Sequence, residues 1–168
     1  VQQLAAALLT VGARAESGRA SCRTPKNNSM NHCIFHDTGP AMRDRRLFEV
    51  VEHAYNAHEK VIIFSQNGER AAAIDRSLWI MKQEAFIPHK ILDKNEPDTP
   101  VPVAIVTTEL NPLDAKILVA DAHCSIDFAS GFDTVHEFVD RSSPEIHESC
   151  RDRFRAYKDR KIQVEYRK

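Results

Sequence analysis

Glycine is scarce in this chain, with five residues in 168, at Gly12, Gly18, Gly39, Gly68 and Gly131. Neither G-x-G-x-x-G nor G-x-x-x-x-G-K-[ST] occurs. No glycine-rich cradle of backbone N–H groups for a nucleotide phosphate is therefore encoded. Cysteine is limited to Cys22, Cys33, Cys124 and Cys150, and none of them makes a C-x-x-C pair. That spacing supports neither a disulfide framework nor a zinc ribbon; reduced, mostly buried thiols of a cytosolic protein are expected. No apolar run approaches the length that spans a bilayer. A G-x-S-x-G nucleophile elbow is missing as well. Charge of one sign does not dominate. The formal net charge is −1, so no whole-molecule field draws the chain to nucleic acid or membrane.

What is present begins with a length that favours one domain with its own core. Residues 1–29 read as an extension outside the fold, flexible or not part of the native product. Their second half, SGRASCRTPKNNS, is small, polar and basic in the manner of a linker. From residue 30 to 168 the pattern is that of one α/β domain. HCIFHD (32–37), VIIFS (61–65), VAIVT (103–107) and KILVAD (116–121) are apolar, β-branched runs of the type buried in parallel sheets. TVHEFVD (134–140) reads as a strand of mixed exposure. Helical spacing recurs over 43–58 and 69–80, and a short helix is expected within DFASGFD (127–133). Ser143-Pro144 opens a last helix, about 143–161, with Ser as N-cap and Pro at the first helical position. This order predicts a three-layer Rossmann-like fold: a mainly parallel sheet between helices, without the phosphate loop.

The residues with chemical potential are scattered. Gly39 and Gly68 follow strands in DTGP and SQNG, where they could meet an anion, but turns account for both. In DAHCS, Cys124 adjoins His123 near Asp121, yet chain neighbours usually point apart and a buried structural cysteine is the better account. His32 and His36 share a strand face, and two ligands do not make a metal site. A small enzyme acting on a nucleotide or phosphate ester through DTGP, SQNG or DAHC stands as the alternative function. No cofactor and no metal are expected.

The last helix carries the clearest pattern. Arg151, Phe154, Arg155 and Lys158 recur at i, i+3, i+4, i+7 and form one face. Ile146, Cys150 and Tyr157 lie on the neighbouring face and are expected to pack inward. A basic stripe holding an aromatic suits an acidic peptide with apolar side chains, though a solvated helix face has the same composition. Upstream, LWIMKQEAFIPHKI (78–91) holds the single tryptophan, Trp79, then Phe86 and Pro88. Exposed aromatics beside a proline-bounded turn would form a partner-binding hot spot; buried ones would be ordinary core.

Two segments, LWIMKQEAFIPHKI and EFVDRSSPEIHESCRDRFRAYKDRK, resemble the chi subunit family of bacterial DNA polymerase III, a clamp-loader accessory. The resemblance covers most of 30–160 and is most specific in L-W-x6-F-I-P-H and in R-x-R-[aromatic]-[basic]-A-Y-[basic]. It implies a non-catalytic adaptor in DNA replication that holds the acidic, Phe-ended C-terminal tail of single-stranded-DNA-binding protein. It also implies a link to the clamp loader through the psi subunit. Arg151, Phe154, Arg155 and Lys158 would then line the tail site, with Val139 as an apolar contributor. Trp79, Phe86 and Pro88 would meet psi or a competing helicase-type partner. No specific nucleic-acid contact and no membrane are implied. Phe154 stands where the family pattern leads one to expect a tyrosine. The ending IQVEYRK (162–168) departs from that pattern.

Overall fold

The computed structural model describes residues 32–81, 86–92, 100–139 and 141–168. The extension at 1–29 lies outside them. Seven strands form one sheet in the order β3-β4-β2-β5-β6-β1-β7, and every pairing is parallel. The strands are β1 (His32–His36), β2 (Val61–Phe64), β3 (His89–Leu92), β4 (Val103–Val106), β5 (Ile117–Ala120), β6 (Thr134–Phe138) and β7 (Gln163–Arg167). The helices are α1 (Pro40–Asn56), α2 (Gly68–Ile80), α3 (Ile126–Ala129) and α4 (Pro144–Asp159). The parallel α/β expectation is met.

Each central strand buries both faces, which is why VIIF and VAIV are apolar at every position. On one face α1 and α2 lay Leu47, Val51, Ala71, Ile74 and Leu78 against Val61, Ile63, Val103, Ile105 and Val119. On the other, Tyr157 of α4 and Ala129 of α3 pack with Cys33, Phe35, Ile62, Phe64 and Val135.

Local chemistry sets the helix limits. Pro40 occupies the first turn of α1, so the helix begins three residues before the periodic pattern does. Asn67, which precedes Gly68 in SQNG, caps α2 by accepting from the Arg70 N–H. Ser143 caps α4 by accepting from the Ile146 N–H. At the far ends, His58 and Lys161 adopt φ of 59° and 60°. In each case the next residue donates back into the helix, Glu59 to Ala54 O and Ile162 to Tyr157 O. These are Schellman closures, built here without glycine.

One element is not anticipated by the sequence pattern. The ending that reads as a tail is β7, paired with β1 from His32↔Gln163 to His36↔Arg167. Its alternation is masked by charge, because an edge strand buries only part of one face.

Candidate functional site

Ligands of open parallel sheets bind beyond the carboxyl ends of the strands. Here that crevice is occupied by the protein's own ions. Asp121, 5% exposed, follows β5 and accepts from Arg43 Nε at 3.1 Å and from Arg70 Nε and Nη2, both at 2.8 Å. Arg70 also reaches Asp44. Hydrogen bonds to Asp121 raise the Arg70 guanidinium above its ordinary range, against the opposing effect of burial. The α2 N-terminus is capped by its own Asn67 and carries Glu69 in its first turn. Both features oppose an incoming phosphate.

The other chemical candidates separate in space. Ser65 is buried, and its Oγ donates to Asn67 O at 3.3 Å. His123 lies against Cys150 Sγ at 3.6 Å and Ser149 Oγ at 3.4 Å. Cys124 instead faces Arg153, and burial pushes its thiol up to about 11. A proton-sharing Cys124–His123 dyad is therefore not formed. His32 lies 3.2 Å from Glu165, while His36 bonds His136 at 2.9 Å, so the two histidines of β1 do not converge. Among the described residues no group of three or more His, Cys, Asp or Glu is arranged to hold a metal ion. A shallow depression lined by Tyr55, His58, Lys60, Pro102 and Leu113 lies at the amino ends of the strands, the wrong end for a nucleotide.

Two surfaces remain, one toward each edge of the sheet. The first is on α4, which is held to the sheet by Arg153. This guanidinium donates to Glu137 of β6, through Nε to Oε2 at 2.9 Å and also through Nη2, and to Tyr157 Oη at 3.0 Å. Glu137 is 2% exposed, and Tyr157 donates to it too. Burial, the largest single effect, works against the Arg153 charge, but the bond to Glu137, the Glu137 charge and the neighbouring Tyr157 and Cys124 together outweigh it and hold the guanidinium strongly protonated. With Arg153 directed at β6, the opposite flank of α4 turns toward β1. There Phe154 is half-buried, edge-on to Phe35 at 5.5 Å. Lys158 sets its Nζ 4.7 Å from the centre of the Phe154 ring, a cation–π contact. Arg151 and Arg155 are exposed and meet acids of their own helix, Glu148 at 3.3 and 3.4 Å and Asp152 at 2.9 Å. Such exposed pairs contribute little and exchange readily. Val139, at the end of β6, is buried in the same core cluster that Phe154 flanks. Ile146 does not pack inward as expected: it is 39% exposed, and the buried residues of α4 are Cys150 and Tyr157.

The second surface surrounds edge strand β3. Trp79 is 49% exposed and Phe86 65%, with Ile80, Met81 and Ile91 exposed around them. Trp79 packs its ring 5.3 Å from Phe86 and 4.9 Å from His89. His89 is buried, and its Nδ1 bonds Ile87 O at 2.7 Å. Pro88 is half-buried between buried Ile87 and His89. Exposed apolar side chains this close together mark a surface that a partner can cover.

These features define a parallel α/β domain whose ligand crevice is closed by ion pairs, with a basic flank around half-buried Phe154 on α4 and a cluster of exposed aromatic side chains beside β3. Residues 30–165 match the family model of the DNA polymerase III chi subunit, HolC. The chain belongs to that family, and with it to the accessory proteins of replication. It is 23% identical over 135 residues to the DNA polymerase III subunit chi of Escherichia coli, covering 78% of this chain and 90% of that protein. Against the subunit chi of Pseudomonas aeruginosa it is 27% identical over 120 residues, covering 71% and 82%. The fold also resembles T4 UvsW, with a TM-score of 0.61 at 9% identity over 84% of this chain and 42% of that one.

The residues that sequence reasoning missed are Arg153 and Glu137, which orient α4, and the whole of β7. The signal for the first was a glutamate in the middle of a core strand, which demands a partner.

Proposed function

We propose that this chain is a non-catalytic replisome adaptor of the bacterial cytoplasm. It binds the acidic, aromatic-ended C-terminal tail of single-stranded-DNA-binding protein along α4 and joins it to the clamp loader through psi at the Trp79–Phe86 patch. The observation that carries the reading is the Phe154 flank. A half-buried ring sits under Lys158, with Arg151 and Arg155 exposed beside it. An acidic peptide can displace the weak intrahelical pairs while its apolar end covers the ring. Arg151, Phe154, Arg155, Lys158 and Val139 are its proposed contacts; Trp79, Phe86 and Pro88 are those of psi or of a competing helicase-type partner.

Calorimetric titration with a peptide ending in Asp-Phe-Pro-Phe tests the reading. Saturable binding is expected that weakens with salt and needs the last Phe. Absence of binding at low salt sinks it. Charge reversal at Arg151 or Arg155 should abolish the signal while leaving the chain folded. For the second surface, Trp79→Ala and Phe86→Ala should each lower capture of psi without changing tail binding.

A further inference from the structure

Arg151 and Arg155 are each preceded by an acid at the same interval. In ESCRDRFR (148–155) Glu148 stands three residues before Arg151, and Asp152 three before Arg155. On a helix that interval brings the two side chains of each pair together on one face. Glu148 reaches both arginines. Its Oε2 lies 3.3 Å from Arg151 Nη1 and its Oε1 lies 3.4 Å from Arg155 Nη1. Asp152 Oδ1 accepts from Arg155 Nη1 at 2.9 Å. One carboxylate thus spans two guanidiniums, an oxygen to each. A carboxylate of a bound peptide would engage the same N–H groups.

All four side chains are between 51% and 66% exposed, so these pairs add little to the fold. For a ligand they weigh more. An incoming anion has to displace them, and each charge contact it makes is offset in part by one it breaks. The Phe154 ring offers a contact of another kind. It is half-buried against Phe35, and apolar contact with it breaks none of these ion pairs.

Resting on the tail-binding reading above, we infer that Glu148 and Asp152 are selectivity residues of the same site. They are internal competitors for Arg151 and Arg155. They lower the affinity of α4 for anions that bring charge alone, and so leave discrimination to the aromatic end that meets Phe154.

The test titrates the full chain with two peptides, the acidic one ending in Asp-Phe-Pro-Phe and the same peptide without its last Phe. The proteins are the wild type, Glu148→Gln, Glu148→Gln combined with Asp152→Asn, and Glu145→Gln. Glu145 is the control for net charge. It lies in the first turn of α4, bonded to Ser143, about 9 Å along the helix axis from Arg151. Glu148→Gln should tighten both peptides about two- to fivefold, and the double variant up to about tenfold. Binding by the double variant should also fall more steeply with salt, because two more basic charges are then open to the peptide. Glu145→Gln should change either affinity by less than about twofold. If Glu148→Gln and the double variant bind no tighter than Glu145→Gln, this inference is overturned and the tail reading stands. If none of the four proteins binds either peptide at low salt, the tail reading falls and this inference with it.

Discussion

Arg151, Arg153 and Arg155 stand within one turn and a half of the same helix, yet they live in unlike surroundings. Arg153 is sunk against Glu137, Tyr157 and the Cys124 carbonyl, with its side chain 11% exposed. Arg151 and Arg155 are 61% and 63% exposed and meet acids of their own helix. The difference teaches that a basic stripe has two jobs. One arginine anchors α4 and sets its rotation; the others are left on the flank that rotation exposes. Anchoring makes use of a desolvated ion pair, where losing one partner strands a buried charge, whereas an exposed pair loses almost nothing.

The largest expected effect sharpens this contrast. Arg153→Ala or Glu137→Ala should cost about 3–5 kcal/mol of stability, because each leaves the other ion buried and alone. Glu137→Leu with Arg153→Met should recover much of that loss. Urea denaturation measures both, and single variants costing under about 1 kcal/mol would break the distinction between the two kinds of arginine.

The other face of the sheet holds a polar pair of opposite character, neutral rather than charged, with His36 buried and His136 half-buried. His36 and His136 stack at 5.2 Å and share a hydrogen bond. Burial first, then Arg46 and Arg167, lowers His36 from 6.5 to about 4. Burial first, then His36 and Arg167, lowers His136 to about 3. The folded rings resist protonation while the unfolded ones accept it. Their contribution is therefore complete above pH 6.5 and is lost as pH falls through the window from there to about 4 and 3. Melting temperature followed from pH 7 to 4 should fall, and His136→Gln should flatten the upper part of that fall. An unchanged slope in the variant would remove the histidine pair from the account.

A smaller effect tests the closure of α4, where both flanks end. Lys161→Gly should stabilise the chain by about 1 kcal/mol, since a left-handed φ of 60° strains a residue with a Cβ. His58→Gly should do the same for α1, and a loss of stability in either would argue against the Schellman geometry. The smallest effect belongs to Arg151→Glu and Arg155→Glu. Chemical denaturation should find each within about 0.5 kcal/mol of the parent, even where peptide binding is gone. A large destabilisation would assign these side chains to the fold rather than to a partner.

Much of the architecture is legible in the order of residues. Apolar β-branched runs identify β2, β4 and β5 because strands buried on both faces leave no choice of side chain. Ser143-Pro144 announces α4 because a cap and a fixed φ act within one turn. The edges are harder to read. β7 is mixed in polarity, and nothing local separates QVEYR from a tail. Trp79 and Phe86 are compatible with core or surface from their spacing alone; their exposure follows from where β3 ends the sheet.

Sequence by itself determined the parallel α/β order, the missing phosphate loop, and the periodicity that places Arg151, Phe154, Arg155 and Lys158 on one side of a helix. These are local properties, set by side-chain period, turn chemistry and capping over a few residues. Tertiary structure decided the rest. It chose which arginine would be buried, closed the crevice with Asp121, Arg43 and Arg70, and brought Tyr166 of the last strand beside Phe35 of the first. Those outcomes join residues 16 to 131 positions apart on different elements, and burial and charge compensation between such groups exist only once the sheet has assembled.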